Sequence, residues 1–452
     1  MENIHIYHTN DVHSHFDHWP RIRKLLLERK ALHEEAGEEC FIFDIGDHMD
    51  RFHPYSDATR GKGNTAILND SGFTAVTIGN NEGITLPYEN LNELYKNAQF
   101  DVLVANLFNK DGTIPPWAKP YQIYETKQHT KIAVIGLTAY FSHFYGLLGW
   151  KLTEPFSELQ NLFTTLKKQS DILIVLSHLG IHDDERLAIE FPEIDVILGA
   201  HTHHILHTGK VINQTLLAAA GKYGMFVGHV ELMADKGKVL DKKAILYNTN
   251  ELPSVENEDE MIHHWYTLGK EQLSTVFTKV PPKNRTKESL AKILCESLLE
   301  WCQADCAFIN EGMILKDVET DLVTDFDLLD ICPHPINPCL VKLSGDELKE
   351  VLLEAEDEKW VNMQMKGFGF RGNLMGKMVY AGIQIDKNEK GTEFSIQSLD
   401  IDRNRIYQVA IPDMYTFGML FPQIQRAKHK TFFFPEFLRD LLKWRLTHLF
   451  HE

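Results

Sequence analysis

Phe73-Thr74-Ala75-Val76-Thr77-Ile78-Gly79-Asn80-Asn81-Glu82-Gly83 is an apolar, β-prone run that stops on a glycine and two amides. Its β-branched residues predict a strand buried on both faces. The Gly-Asn pair predicts a tight turn that presents polar groups just beyond a sheet. The same pattern recurs through the first half of the chain. Ile4–His8 runs into Thr9-Asn10-Asp11-Val12-His13, and Cys40–Ile45 into Gly46-Asp47-His48. Asp171–Leu176 leads to Ser177-His178, and Asp195–Leu198 to Gly199-Ala200-His201-Thr202-His203-His204. Asp101–Ala105 and Lys131–Gly136 read as further strands, and Ile22–Lys30 as a helix. Strands alternating with helices predict an α/β fold with a central sheet covered on both faces. In such sheets ligands gather beyond the strand ends, where these polar clusters fall.

Glycines and strands between Leu216 and Leu246 close this first domain. Asn248–Glu260 is polar and acidic and reads as a linker; Met261–Thr278 reads as a helix ended by Pro281-Pro282. In the second half Leu290, Ile293, Leu294, Leu298 and Trp301 recur at helical spacing. Ala307–Asn310, Met378–Ile385 and Ile406–Ile411 read as strands, Asp325–Leu329 and Gly345–Ala355 as helices. This mixture predicts an α+β domain. The expected boundaries are 1–250 for the first domain, 251–283 for a linker and connecting helix, and 284–452 for the second.

The chain has 452 residues, long enough for two or three domains, and 43% of them are hydrophobic. No run approaches the ~18–20 apolar residues of a membrane span, and the N-terminus opens directly in strand-like alternation. The expectation is a cytoplasmic protein without a membrane partner. Six cysteines without a CxxC pair fit reduced core thiols. A formal charge of −18 without a basic stripe argues against a nucleic-acid polymer as partner. It leaves room for a small anionic ligand, because bound cations invert the local field.

Asp11, His13, Asp47, Asn80, His178, His201 and His203 are the donors those strand ends offer. Hydrolysing a phosphate ester requires a deprotonated attacking oxygen, a neutralised phosphoryl group and a stabilised leaving oxygen. Two divalent ions about 3.5–4 Å apart meet all three needs. Asp11-x-His13 and His201-x-His203 would each put two donors on one side of an extended segment. Asn80 would add a neutral carbonyl oxygen, and Gly46 would let the backbone turn sharply before Asp47.

This constellation resembles the calcineurin-like metallophosphoesterase superfamily, whose signature runs Asp-x-His, Gly-Asp, Gly-Asn-His-Asp/Glu, His, Gly-His-x-His. His8-Thr9-Asn10-Asp11-Val12-His13-Ser14, Ser177-His178-Leu179-Gly180 and Gly221-Lys222-Tyr223-Gly224 resemble its 5′-nucleotidase branch, and the likeness extends over nearly the whole chain. The resemblance implies a four-layer β-sandwich flanked by helices, followed by a 5′-nucleotidase-like substrate domain. It implies two divalent ions, manganese or zinc. One would sit on Asp11, His13, Asp47 and His203; the other on Asp47, Asn80, His178 and His201, with Asp47 bridging.

The resemblance breaks at informative places. The family's catalytic histidine and its aspartate partner are here Asn81 and Ile84. By position, His48 and His204 are substitutes for proton transfer, and the candidate catalytic groups are Asn81 and His48. The family's substrate arginine is here Leu315, within Asn310-Glu311-Gly312-Met313-Ile314-Leu315 and followed by Lys316. The two phenylalanines that clamp a base would correspond to Phe421 and to Phe368 or Phe370; with Asn310 and Lys316 they form the candidate substrate set. The reading is a phosphoesterase acting on nucleotides or related small phosphate esters. Two alternatives stay open: a nucleotide- or metal-binding protein without turnover, and a phosphodiesterase or nucleotide-sugar pyrophosphatase.

Overall fold

The computed structural model describes residues 1–450 apart from Lys390 and Met419. Two compact units divide the chain, Met1–Gly269 and Lys270–Glu452. Among the described residues no helix is long and apolar enough to cross a membrane.

The first unit holds two six-stranded sheets instead of the single central sheet that the strand–helix rhythm suggested. The first has the order 238–248, 226–235, 2–9, 39–44, 75–76, 101–102. Its last four strands run parallel, and the strand Phe226–Asp235 lies antiparallel to Glu2–Thr9. The second has the order 210–212, 215–218, 196–199, 172–178, 131–138, 121–125, parallel except at its two edges.

Side-chain alternation explains why the sheets stack. Ile4, Ile6, Phe41 and Phe43 of the first sheet meet Ile132, Val134, Ile174 and Leu198 of the second in one buried cluster. The intervening residues Ala133, Ile135, Leu173 and Val175 face the opposite way, onto Phe156, Leu159, Leu166 and Leu187. Those four come from the helices Pro155–Gln169 and Ile181–Glu190. On the far side, the helix Trp19–Ala36 buries Trp19, Ile22, Leu25 and Leu26 and packs on the strand Glu39–Asp44. The result is four layers, helix–sheet–sheet–helix.

Several elements differ from their sequence reading. The Phe73–Ile78 strand shortens to Ala75–Val76 because the backbone beyond it is drawn into side-chain contacts at the strand ends. Asp101–Ala105 keeps only Asp101–Val102 in the sheet, and Leu103 bridges instead to Lys119. The 261–278 helix is Glu258–Gln272, while Val276–Lys279 forms a strand paired with Leu322–Thr324. The β-branched Val276 and Thr278 explain that switch. Part of the 248–260 stretch is anchored: Arg21 makes two hydrogen bonds to the Glu258 carboxylate, 2.9 and 2.5 Å.

The second unit is α+β, as expected. A five-stranded sheet has the order 378–381, 306–310, 406–412, 338–344, 430–432. The helices Lys287–Trp301 and Leu438–Leu449 pack together and share a core with Phe308, Val409 and Phe421. Capping sets local boundaries: Thr286 accepts from Ser289 N, and Ser344 with Glu347 forms a reciprocal capping box.

Gly46, at the end of the second strand, has φ +85°, and a Cβ there would stand 2.4 Å from Gly79 N. Gly46→Ala is therefore expected to lower the stability of the first unit by at least about 1–3 kcal/mol, read as an earlier first transition on thermal or urea unfolding.

Candidate metal centre

All the candidate donors follow parallel strands at their carboxyl ends: Asp11 and His13 after Glu2–Thr9, Asp47 after Glu39–Asp44, Asn80 after Ala75–Val76. His178 closes Ile172–His178, and His201 and His203 follow Val196–Gly199. Because the two sheets face one another, both rows of strand ends open onto the same place.

The segments there are not extended, which corrects the side-chain alternation expected of Asp-x-His and His-x-His. Asp11, His13, Asp47, His201 and His203 all have positive φ, between 49° and 71°. For non-glycine residues this is a sparsely populated region, costing about 1–3 kcal/mol each. Hydrogen bonds hold the chain there: Asp11 N donates to Gly46 O (3.1 Å), His13 N to Asp47 O (2.8 Å), and His201 N to Asp11 Oδ2 (3.0 Å).

The functional atoms converge. Asp11 Oδ1 lies 3.6 Å from His203 Nε2, 3.8 Å from His13 Nε2 and 4.0 Å from His178 Nε2. Asp47 Oδ2 lies 3.4 Å from His178 Nε2 and 3.8 Å from His13 Nε2, so this carboxylate reaches both sides of the cluster. Two groupings have donor atoms mutually within 4.8 Å: Asp11, His13 and His203, and Asp11, Asp47 and His178. The ring of His201 stands 5.3 Å from that of His178.

These residues fit divalent cations. Asn80 Oδ1 and His178 Nε2 are buried and have no hydrogen-bond partner, although buried polar atoms are normally satisfied. His178 Nδ1 donates to Ile45 O at 2.7 Å, which leaves Nε2 with its lone pair toward the carboxylates. Burial holds His201 and His203 neutral, lowered to about 4 and about 3, as ligands require. Burial acts the same way on His178, but Asp47 and Asp11 outweigh it and raise that ring to about 10. Asp47 is itself held below the usual carboxylate range: burial opposes this, and the positive charge of His178 overrides it. The two buried carboxylates demand a positive charge here, which a cation held on His178 Nε2 would supply in place of a proton.

Residues behind the donors fix their positions. The buried Glu82 carboxylate accepts from three backbone amides: Asp47 N (2.9 Å), Met49 N (3.0 Å) and Gly79 N (2.8 Å). A Cβ on Gly79 would fall 2.0 Å from Asp47 Oδ1 and 2.5 Å from His178 Cε1, so only glycine fits. Tyr223, whose N donates to Asp11 O, sets its ring edge-on to His13 with centroids 5.8 Å apart. Glu82 fills the acidic position of the quoted strand-end motif, to which the sequence reading gave no role; Asp50, 3.6 Å from His13 Nδ1, carries no strand-end signature.

Asn81 acquires a definite place. Its backbone N donates to Asp47 Oδ1 (2.7 Å), its Nδ2 donates to Met49 O (3.1 Å) and lies 2.8 Å from His13 Nδ1. A carboxamide held this way orients a donor and releases no proton at ordinary pH. His48 is buried, lowered to about 3 by that burial, and set edge-on against Trp19 at 4.7 Å. Its Nδ1 lies 3.2 Å from Asn64 Nδ2. It belongs to neither donor grouping. His204 is exposed, with Nδ1 2.9 Å from Thr202 Oγ1.

In the second unit most of the candidate substrate set is structural. Phe421 is fully buried, stacked on Trp360 (5.0 Å) and edge-on to Phe308 (5.4 Å), and has no face to offer a ligand. Phe370 is buried against His334 at 4.9 Å. Asn310 is consumed by Met375 O and the Tyr415 hydroxyl, and Lys316 is paired with Asp330 at 2.5 Å. Phe368 differs: it is 49% exposed, and its ring lies parallel to that of Phe417 within 7°, centroids 6.2 Å apart. Phe417, half-buried, stands four residues before Phe421.

Residues 4–204 match the calcineurin-like phosphoesterase family, and residues 270–420 match the 5′-nucleotidase C-terminal domain. The chain is 42% identical to the uncharacterized metallophosphoesterase YunD of Bacillus subtilis (strain 168), over 98% of this chain and 99% of the relative. It is 22% identical to a 5′-nucleotidase of Vibrio vulnificus, over 77% of this chain and 74% of the relative. The fold superposes on a Staphylococcus aureus structure provisionally assigned as a 5′-nucleotidase, with TM-score 0.71 and 18% identity, covering 99% of this chain and 97% of that one.

With Nε2 toward Asp11 and Asp47, a ligating His13 carries its proton on Nδ1, where the Asp50 carboxylate faces it at 3.6 Å. Outer contacts of this kind are worth about 10–100-fold in metal affinity. Asp50→Ala is expected to weaken manganese or zinc binding by that amount in a calorimetric titration, with the fold retained by circular dichroism.

Proposed function

Given that the chain belongs to the calcineurin-like phosphoesterase family and carries a 5′-nucleotidase C-terminal domain, we propose that it hydrolyses nucleotides or related small phosphate esters at a dinuclear centre. The chain is a metal-dependent phosphate ester hydrolase; the substrate class and the pair of ions are the finer reading. The observation that carries it is the convergence of Asp11, His13, Asp47, His178 and His203, together with the burial of Asn80 Oδ1 and His178 Nε2 without a hydrogen-bond partner. The proposed ligands are Asp11, His13, Asp47 and His203 for one ion and Asp47, Asn80, His178 and His201 for the other. Asp47, within 4 Å of both His13 and His178, is the shared carboxylate. When bound, a pair of manganese or zinc ions supplies a nucleophile at neutral pH and neutralises phosphoryl charge. The chain's own part is to fix the donors and to keep His201 and His203 neutral.

Asn81 cannot protonate a leaving oxygen, and such positioned proton transfer contributes about 10²–10⁴-fold. Substrates whose leaving groups need no protonation are therefore favoured, and aryl phosphates are expected to turn over faster than nucleoside monophosphates. In the second unit the exposed Phe368 and the half-buried Phe417 are the groups that would stack on a nucleobase. Inserting a ring between two others needs about 7 Å, twice the ~3.5 Å contact distance; the pair stands at 6.2 Å. Gly367 (φ +91°) and Gly369 (φ +80°) flank Phe368 and give that loop backbone freedom to open. The six free cysteines fit the reducing cytoplasm as its location.

Metal-loaded protein is expected to release phosphate from members of a nucleotide and aryl-phosphate panel, and Asp47→Asn to abolish that release. Turnover indifferent to Asp47→Asn contradicts the mechanism; nucleotide affinity without release at any pH or metal establishes a binding protein instead. Phe417→Ala removes one stacking face, worth about 1–3 kcal/mol. It is expected to raise KM for nucleotides about 5- to 150-fold and to leave KM for glycerol phosphate unchanged.

A further inference from the structure

The segment Gly221-Lys222-Tyr223-Gly224-Met225 is fastened to both rows of donor-bearing strand ends. Gly221 N donates to His204 O (3.0 Å), and Gly221 O accepts from Asn10 Nδ2 (2.7 Å). Tyr223 N donates to Asp11 O (2.8 Å), and Met225 N closes a turn on Lys222 O (3.1 Å). Gly221 (φ 76°), Tyr223 (φ 59°) and Gly224 (φ 64°) all take left-handed backbone, so the loop turns sharply around Lys222. It is thus tied on one side to the segment of Asp11 and His13, and on the other to the segment of His201 and His203.

The Lys222 side chain is placed as well as its backbone. Its Nζ lies over the Tyr223 ring, 4.5 Å from the centroid, where the ring's negative face attracts an ammonium. The His15 ring packs against the same Tyr223 ring at 3.9 Å. Tyr223 in turn stands edge-on to His13 (5.8 Å) and 6.5 Å from the ring of His203. Lys222 is half-buried, and among the described residues it forms no ion pair, unlike Lys210 with Glu185 and Lys242 with Asp195. Its charge reaches the donors: after burial and His13, Lys222 is what lowers His203. Beside two divalent ions such a cation is unfavourable unless an anionic ligand completes the site.

Resting on the phosphoesterase reading above, we propose that Lys222 is a specificity-determining residue: its ammonium pairs with the phosphoryl oxygen that a monoester leaves free and a diester esterifies. A fully ionised monoester has three non-bridging oxygens and two negative charges, whereas a diester has two such oxygens and one charge. Lysine offers three N–H donors and no acceptor, and as a compact point charge it binds phosphate without a bidentate geometry. A second ester arm in the same place would strip water from the ammonium and give it no partner, which is costly. Lys222 therefore selects against diesters as well as for monoesters. Tyr223 is the positioning residue that holds the ammonium beside the donors.

The test is calorimetric binding of two unreactive probes to the manganese-loaded full chain: phenylphosphonate as its dianion, and its monomethyl ester as a monoanion. Wild type, Lys222→Met, Lys222→Arg and Tyr223→Leu are compared. Lys222→Met keeps the length of the side chain and removes its charge. It is expected to weaken the dianion about 10-fold or more. The monoanion, with half the charge, is expected to lose no more than about 3-fold, with manganese content unchanged. Lys222→Arg is expected to recover most of the dianion affinity, and Tyr223→Leu to lose part of it. Equal weakening of both probes in Lys222→Met, or affinity unchanged for both, overturns the proposal and leaves the phosphoesterase reading intact. Wild type that binds neither probe overturns it too, and phosphate release from phenyl phosphate then decides the phosphoesterase reading separately.

Discussion

One buried carboxylate holds the site's geometry. Glu82 accepts hydrogen bonds from the backbone amides of Asp47, Met49 and Gly79, and so ties the end of the second strand to the end of the third. Hydrogen bonds to a charged acceptor contribute about 1.5–3 kcal/mol each, and three of them converge on one side chain. That attachment places Asp47, whose Oδ1 then takes the amide of Asn81 and whose Oδ2 faces His178 and His13. Gly79 is required at the same point because no Cβ fits between Asp47 and His178. The motif Gly-Asn-Asn-Glu is therefore a support structure as much as a source of a ligand.

The strand ends carry strain that this support offsets. Five candidate donors occupy the left-handed region, where a non-glycine residue is seldom found. Such conformations persist only when neighbouring contacts over-determine them. Here the contacts interlock: Asp11 N donates to Gly46 O, His13 N to Asp47 O, and His201 N to the Asp11 carboxylate. The two sheets hold each other's loops in place across the gap, so the donors form one unit. Asn81 belongs to it through its backbone bond to Asp47 Oδ1 and the contact of its amide with the His13 ring.

Much of this was legible in the sequence because the signals are local. A β-branched run followed by Gly-Asp or Gly-Asn announces a strand end within a few residues, and seven donors in one order name the family. What was not legible depends on distance along the chain. The first sheet is completed only by pairing Glu2–Thr9 with Phe226–Asp235, over two hundred residues away, while the strands between 121 and 218 assemble a sheet of their own. The left-handed backbone of Asp11 and His13 is imposed by Gly46 and Asp47, and nothing in Asp-Val-His itself signals it. Phe417 and Phe421 are equally aromatic; only the packing of Trp360 and Phe308 around Phe421 shows which one is core. The helix expected over 261–278 ended early because Val276–Lys279 found a strand partner at Leu322–Thr324.

The dinuclear centre is tested most directly by anomalous diffraction from crystals grown with manganese or zinc. The account predicts two peaks about 3.5–4 Å apart, with Asp47 between them, one against Asp11, His13 and His203 and the other against Asn80, His178 and His201. A single peak there, or none in metal-saturated crystals, contradicts it.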